Sequence, residues 1–350
     1  MDTKHKLGIV GFGGMGGWHE ELVRGGIEGL SVKGVYDIRE ERLEAARELG
    51  LVGYESLEAL LADPEIDIVL CSTPNDFHKP IVIQALHAGK NVVSEKPVTL
   101  SSADLQEMID AANETGKLFT VHQNRRWDED YLTMKRIYEG KLLGDVFNIE
   151  SRVHGSRGIP GDWRGRKEQG GGMMLDWGVH IIDQTLQMIP ERIKSVYCTV
   201  THVTNYEVDD GFTLILTFES GLRALLEVGT SNFIELPRWY MQGENGTAVI
   251  EDWNLSGKIV RVTNWDKNDA VPVKTAAGLT KTMAPRTDET ITEEPLPIVH
   301  SDIRDFYRNV MAAIEGRETQ KIKHDELMRV MKLMEAAFRS AELGQIVELE

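Results

Sequence analysis

The sequence predicts an α/β protein in two parts. An N-terminal doubly wound parallel sheet occupies residues 1–125, and an α+β domain with a large, mostly antiparallel sheet follows at residues 126–350. Three observations carry this expectation. The first third alternates short apolar runs with helical stretches, the pattern of strands covered by helices on both faces. The chain then changes to successive extended runs without intervening helices, as in an antiparallel sheet. A glycine-rich turn, GIVGFGGMGG at residues 8–17, joins the first apolar run to the first helix.

The elements follow in order. Leu7–Val10 is a strand and Met15–Gly25 a helix; Val32–Tyr36 is a strand and Arg39–Leu49 a charged amphipathic helix. Ser56–Ala62 reads as a short helix capped by Ser56. Ile66–Cys71, Asn91–Ser94 and Leu118–Val121 are strands, separated by helices at Ile81–Ala88 and Ser101–Thr115. After a helix at Glu129–Glu139, five extended runs are expected: Val146–Val153, Ser195–Val203, Phe212–Glu219, Leu222–Thr230 and Trp239–Ile250. Ser220-Gly221 is a hairpin turn, and residues 264–294 form an exposed excursion. Two helices close the chain and are placed against the first part. In the last, Leu327, Val330, Met331, Met334, Ala337 and Phe338 form a core stripe.

The opening turn carries a dinucleotide-binding fingerprint. Gly11 allows the tight turn, Gly13 leaves room for a pyrophosphate at the backbone, and Gly16 lets helix and strand approach. Asp37 ends the second apolar run at the distance expected of a ribose-binding acid. Phe12, Gly14 and Met15 in the turn, with Ile38 and Arg39 behind Asp37, belong to the same expected surface. Asp37 favours NAD over NADP because it repels a 2′-phosphate; Arg39 and Arg42 read as the solvated start of a helix.

The formal charge is −17. Nucleic acid and anionic membranes, which need basic surface, are excluded as expected partners. Two distant cysteines, Cys71 and Cys198, and the absence of a signal peptide predict a reduced, cytoplasmic protein. No apolar run is long enough to span a bilayer. Asn245-Gly246-Thr247 is read as a turn rather than a glycosylation acceptor. The broad second sheet, with one face not covered by helices, predicts a homo-oligomer, a dimer or tetramer.

Candidate chemistry sits where predicted strands end, since open α/β sheets bind ligands at their carboxyl ends. CSTPNDFH (71–78) offers Ser72, Thr73, Pro74, Asn75 and His78; SEKPV (94–98) offers Glu95 and Lys96; VHQNRRW (121–127) offers Asn124 and Arg125. Lys96 precedes a proline, which keeps it out of a helix. In the second part, GGGMMLDWGVHIIDQ (170–184) places Asp176, His180 and Asp183 at i, i+4 and i+7, one helix face. No further ligands with recognisable spacing accompany them, so no metal is expected. Trp127, Trp163, Trp177 and Trp239 are candidates to stack on a sugar ring.

In this order, the fingerprint, TPNDFH, EKP, NRRW and GGGMMLDWGVH resemble the Gfo/Idh/MocA oxidoreductases over essentially the whole chain. The resemblance implies a Rossmann-type first domain and catalytic roles for Lys96, Asp176 and His180. It implies cofactor contacts at Gly11, Gly13, Gly16, Asp37, Asn75, His78 and Glu95, with Trp163 and Arg164 reaching over the dinucleotide. Asn124 and Arg125 would line the substrate pocket. The expected reaction is hydride transfer at a secondary hydroxyl of a sugar, glycoside or cyclitol. Either His180 or Lys96 takes the hydroxyl proton, and Asp176 fixes a neighbouring hydroxyl. Sugar–sugar transhydrogenation on a tightly held cofactor, and a non-catalytic sensor, are the other readings.

Overall fold

The computed structural model describes residues 4–267 and 269–349. The first part runs β1 (His5–Val10), α1 (Gly14–Arg24), β2 (Leu30–Tyr36), α2 (Glu40–Glu48), β3 (Val52–Gly53), α3 (Leu57–Ala62), β4 (Ile68–Cys71), α4 (His78–His87), β5 (Asn91–Ser94), α5 (Ser102–Thr115) and β6 (Phe119–Val121). These six strands form one parallel sheet in the order β3-β2-β1-β4-β5-β6. The order of strand addition reverses between β1 and β4, so a crevice opens at their carboxyl ends, where such sheets bind dinucleotides. β4 and β5 are buried at every residue, as strands covered on both faces must be. Ser56 and Ser101 cap α3 and α5, each side chain accepting a backbone N–H at 3.1 Å.

The second part is α6 (Glu129–Glu139), β7 (Val146–His154), α7 (Val179–Met188), β8 (Ile193–Thr201), β9 (Gly211–Phe218), β10 (Arg223–Gly229), β11 (Trp239–Gly243), β12 (Gly246–Ile250), β13 (Gly257–Val262), β14 (Val273–Thr275), β15 (Gly278–Thr280), β16 (Ile291–Glu294), α8 (Arg304–Ile314), α9 (His324–Leu343) and β17 (Val347–Glu348). Nine of these strands make one sheet, ordered β16-β13-β12-β11-β7-β10-β9-β8-β17. Its pairings are antiparallel except for β7 with β10. Inward positions such as Leu214, Leu216, Ala224, Leu226 and Met241 are fully buried under the helices.

Some expectations need correction. The run Trp239–Ile250 is two strands, folded back through a turn that contains Asn245. The excursion at 264–294 contains the β14–β15 hairpin and then returns to the sheet edge as β16. The closing helices meet the first part through side chains: Glu335 accepts from the Ser102 hydroxyl at 2.8 Å, and His324 Nε2 lies 2.8 Å from the Phe119 carbonyl oxygen. Among the described residues no helix is long and apolar enough to cross a membrane.

Candidate active site

The fingerprint loop has the required shape. Gly11 has φ +89°, and a Cβ there would lie 2.8 Å from the Ser72 carbonyl oxygen. A Cβ at Gly16 would lie 2.2 Å from the Gly11 carbonyl oxygen, so helix and strand touch through it. At Gly13 and Gly14 nothing lies within 4 Å, so the backbone there is open to an incoming group. The first turn of α1 carries no acidic residue and no side-chain cap, leaving its amides free for an anion. Asp37 sits at the mouth of β2, its carboxylate accepting the Phe12 amide at 2.7 Å and the Arg39 amide at 3.0 Å. Phe12 is buried, whereas Ile38 is exposed at the rim. These residues fit a dinucleotide.

Two predicted contacts turn out to be structural pins. His78 is fully buried, with its ring nitrogens each 3.0 Å from a carbonyl oxygen, of Pro97 and of Thr73. It holds the loops after β4 and β5 together. Burial lowers its pKa, against those two contacts. Asn75 is buried as well and donates at 2.8 Å to the Gly170 carbonyl oxygen, tying the first part to the triple-glycine turn of the second. Thr73 and Pro74 form the bend between them, and the Ser72 hydroxyl donates to the Gly11 carbonyl oxygen at 2.7 Å.

Lys96 and Asp176, eighty residues apart, meet. Lys96 Nζ donates to Asp176 Oδ1 and to the Asp176 carbonyl oxygen, both at 2.9 Å. Arg164 Nε lies 3.3 Å from Asp176 Oδ2. Burial works against ionisation of Asp176, but the Lys96 and Arg164 charges win and hold its pKa down. Arg164 is oriented by Asp162 at 2.8 Å and stacks 4.6 Å from the centre of the Trp163 ring. His180 is buried, and its Nδ1 has no hydrogen-bond partner. Burial first, then the Lys96 and Arg125 charges, push its pKa well below the usual range, so the ring is neutral at pH 7. Asn124 Oδ1 is also buried and unpartnered.

Local backbone explains this placement, and corrects one expectation. Residues Met174–Gly178 form a π turn that continues into α7. Such turns widen a helix and are frequent at functional sites. Asp176 and His180 reach the site, whereas the Asp183 carboxylate is taken by a neighbouring arginine. Its carboxylate closes bidentately on Arg126 at 2.6 and 2.7 Å, and Arg126 reaches on to Glu326 of α9 at 2.7 Å. Asp209, which the sequence did not single out, starts the widened turn. It accepts the Met174 amide at 2.7 Å, and burial pushes its carboxyl up to about 6. A Cβ on Gly172 would lie 2.3 Å from that carboxylate, which accounts for a glycine there.

Glu95 faces away from Lys96 into a closed cluster. His19 Nε2 and His122 Nδ1 each lie 2.8 Å from Glu95 Oε1, and the Tyr307 hydroxyl lies 2.7 Å from His19 Nδ1. Burial opposes ionisation of Glu95, but the His122 charge and the bonds from both rings hold its pKa well below the usual range. Burial lowers His19 to about 4. One ligand atom from each of His19, Glu95 and His122 lies within 4.8 Å of the others, a spacing that could admit a metal ion. Hydrogen bonds already join the three, and all are buried. Glu95 also accepts the Lys96 amide at 3.2 Å, so the cluster braces the lysine's backbone.

Beyond His180 a cavity of about 320 Å³ opens at the carboxyl ends of the parallel pair β7 and β10. Arg125 and Trp177 border it, the guanidinium lying 4.2 Å from the indole centre. Of the tryptophans proposed as sugar platforms, Trp177 lines this cavity. Trp239 is core, and Trp127 packs on Phe306. Trp253, which the sequence reading passed over, lines it too, its ring 6.0 Å from that of Trp177.

The comparisons with known proteins agree with this architecture. Residues 5–123 match the family model described as oxidoreductase family, NAD-binding Rossmann fold, and residues 131–249 match the GFO/IDH/MocA C-terminal domain. The crystal structure of an NAD-binding protein from Listeria innocua superposes with TM-score 0.96 at 48% identity, covering 99% of this chain and 100% of that one. An uncharacterized oxidoreductase of Schizosaccharomyces pombe is 31% identical over 85% of each chain. The scyllo-inositol 2-dehydrogenase (NADP(+)) IolW of Bacillus subtilis is 26% identical over 99% of this chain and 96% of that protein. With both halves matched and a relative above 30% identity along most of its length, this chain belongs to the Gfo/Idh/MocA family of oxidoreductases.

Proposed function

We propose that the protein is an NAD-dependent dehydrogenase acting on a secondary hydroxyl of a sugar, glycoside or cyclitol. One observation carries this reading: a lysine–aspartate pair and a neutral histidine with a free ring nitrogen converge where the two parts meet. A non-catalytic sensor has no need of that arrangement. Similarity to an inositol dehydrogenase supports a polyhydroxylated substrate.

The Gly13–Gly14 backbone and the N-terminal amides of α1 hold the pyrophosphate, and Asp37 takes the adenosine ribose. Asp37 places negative charge where a 2′-phosphate would lie, which favours NAD. The dinucleotide, once bound, supplies the hydride acceptor or donor. His180 accepts the hydroxyl proton on a ring nitrogen. Lys96 donates a hydrogen bond to the developing alkoxide, and Asp176 keeps Lys96 aimed and binds a neighbouring hydroxyl. Asn124 and Arg125 position the ring. Trp163 and Arg164 close over the dinucleotide.

The protein is also proposed to self-associate through the open face of its large sheet. Tyr197, Ile215, Leu225, Tyr240 and Val249 lie in one transverse row there, interrupted by Glu150. A light-scattering mass of one chain would contradict this. The catalytic reading is tested by following dinucleotide reduction with a panel of cyclitols, aldoses and glycosides. Lys96→Met and His180→Asn should each lower kcat roughly 10²–10⁴-fold while dinucleotide still binds. Near-full kcat in both would refute the assignment.

A further inference from the structure

We propose that Asp209 is a positioning residue for the hydride transfer: its carboxylate fixes the widened turn that presents Asp176 and His180 to the substrate. The inference rests on the dehydrogenase reading for the reaction itself, and on the backbone of that turn for the role of Asp209.

The turn is held at Met174. Its carbonyl oxygen accepts the Val179 amide, five residues on, and this bond widens the helix. Its amide is among the first of the helix and has no acceptor within it. It donates instead to Asp209 Oδ2 at 2.7 Å. The preceding amide, of Met173, donates to the Asp209 carbonyl oxygen at 3.0 Å. Gly172, at φ +106°, lets the chain come this close, since a Cβ there would lie 2.3 Å from Asp209 Oδ1. Asp176 lies inside the turn, its amide donating to the Gly172 carbonyl oxygen at 3.0 Å, and His180 directly follows Val179. Asp209 is itself anchored. Its neighbour Asp210 accepts the Thr201 hydroxyl at 2.9 Å and the Thr204 hydroxyl at 3.0 Å, and the Asp210 carbonyl oxygen accepts the Thr230 hydroxyl at 2.7 Å. The clamp thus ties the turn to the ends of β8 and β10.

Charge strengthens the clamp, because a carboxylate accepts an amide more strongly than a neutral oxygen does. Burial raises the Asp209 pKa to about 6, while the Met174 amide, its own amide, the His202 charge and the Met173 amide pull the other way. Two titratable side chains interact with it from β8 and its end, Cys198 and His202. Burial, and then the Asp209 charge, push the Cys198 thiol up to about 12. Asp210 is spent on the two threonines. Within the turn, Asp176 stays below the ordinary carboxylate range, against burial, through the Lys96 and Arg164 charges. Burial keeps His180 well below its own usual range. Of these three groups Asp209 alone changes charge near pH 6. An asparagine would leave an oxygen on the Met174 amide without the charge that burial penalises.

The experiment measures kcat and KM from pH 5 to pH 8 for the wild type and Asp209→Asn, with thermal melting at pH 7 and hydrogen exchange of residues 173–180 in both. Wild-type kcat should fall along an acid limb near about 6. Asp209→Asn should lower kcat at pH 7 roughly tenfold, within the hundredfold or so that about one ångström of misplacement can cost. Its limb near 6 should be gone and its dinucleotide KM unchanged. It should melt no lower than the wild type, because a buried charge is removed, yet its turn amides should exchange faster. A wild-type kcat flat from pH 8 to pH 5, an acid limb that persists in Asp209→Asn, or full kcat in that variant would overturn the proposal. A lower melting temperature with unchanged exchange in the turn would overturn it too. A wild type that reduces no dinucleotide with any cyclitol, aldose or glycoside would sink the dehydrogenase reading instead. Exchange then decides the clamp: faster in Asp209→Asn upholds it, and equal rates overturn it.

Discussion

Adding one methyl group at Gly13 and one at Gly16 separates two functions of the fingerprint loop. At Gly16 the new Cβ would lie 2.2 Å from the Gly11 carbonyl oxygen and 3.1 Å from Ser72 Oγ, so α1 must move off β1. Overpacking of this kind costs about 1–3 kcal/mol. At roughly 2–4 °C per kcal/mol for domains of 150–250 residues, Gly16→Ala should lower Tm by roughly 2–12 °C without ligand. At Gly13 nothing lies within 4 Å, and its φ of −83° and ψ of −153° suit alanine. Gly13→Ala should therefore melt like the wild type. Its methyl group would instead occupy the space proposed for the pyrophosphate and push a charged hydrogen-bond partner off the backbone, at a cost of about 1.5–3 kcal/mol. That weakens dinucleotide binding roughly ten- to hundredfold. Differential scanning fluorimetry and a titration of reduced dinucleotide fluorescence read the two effects. A Gly13→Ala protein that binds dinucleotide normally, or one that is destabilised as much as Gly16→Ala, would refute the reasoning.

Three further outcomes follow from the same geometry. Asp183→Ala removes the bidentate partner of the buried Arg126 guanidinium, leaving Glu326 alone, and should cost about 3–5 kcal/mol in urea unfolding; an unchanged midpoint would show that the pair is not a structural tie. Acid should destabilise the fold. Buried His19 titrates near about 4 against an ordinary 6.5, so the unfolded chain takes up a proton that the folded chain refuses. Stability is full above pH 6.5 and falls toward pH 4, by on the order of 3 kcal/mol from this group; a Tm constant from pH 7 to pH 5 would contradict this. Asp37→Ser removes the charge opposed to a 2′-phosphate and should shift the NAD-to-NADP ratio of kcat/KM toward NADP by tenfold or more, an order-of-magnitude expectation for one charged contact. An unaltered ratio would place cofactor choice elsewhere.

The parallel sheet was legible because its rules are local. Apolar runs such as Ile68–Cys71 and Asn91–Ser94 can only be strands covered on both sides, and Gly11 and Gly16 state the turn that joins β1 to α1. Lys96, Asp176 and His180 were legible as residue types at strand and helix ends. What the sequence hid depends on contacts between distant segments. A regular helical period put Asp183 beside His180, and both do lie on α7, but Arg126 claims the carboxylate. His78 looked like a cofactor ligand because it ends a loop at a strand mouth; its burial between two carbonyl oxygens follows from packing of the next loop. His19 and Tyr307 left no pattern in the chain, since Glu95 lies 76 residues from His19 and Tyr307 lies 288 residues from its partner His19. His154 reaches the cavity beside Gly229 only once β7 and β10 are aligned in parallel, a register that no local signal encodes.

The central claim is that Lys96 and His180 face one substrate hydroxyl from opposite sides, beside the nicotinamide. A crystal structure with reduced dinucleotide and a slow or unreactive glycoside tests this most directly. The account predicts one secondary hydroxyl oxygen within hydrogen-bond range, about 2.6–3.2 Å, of both Lys96 Nζ and a His180 ring nitrogen, with its carbon about 3–3.5 Å from the reactive ring carbon. A ring bound with those two side chains pointing away from it, in a complex that turns over when the crystal is warmed, would contradict it.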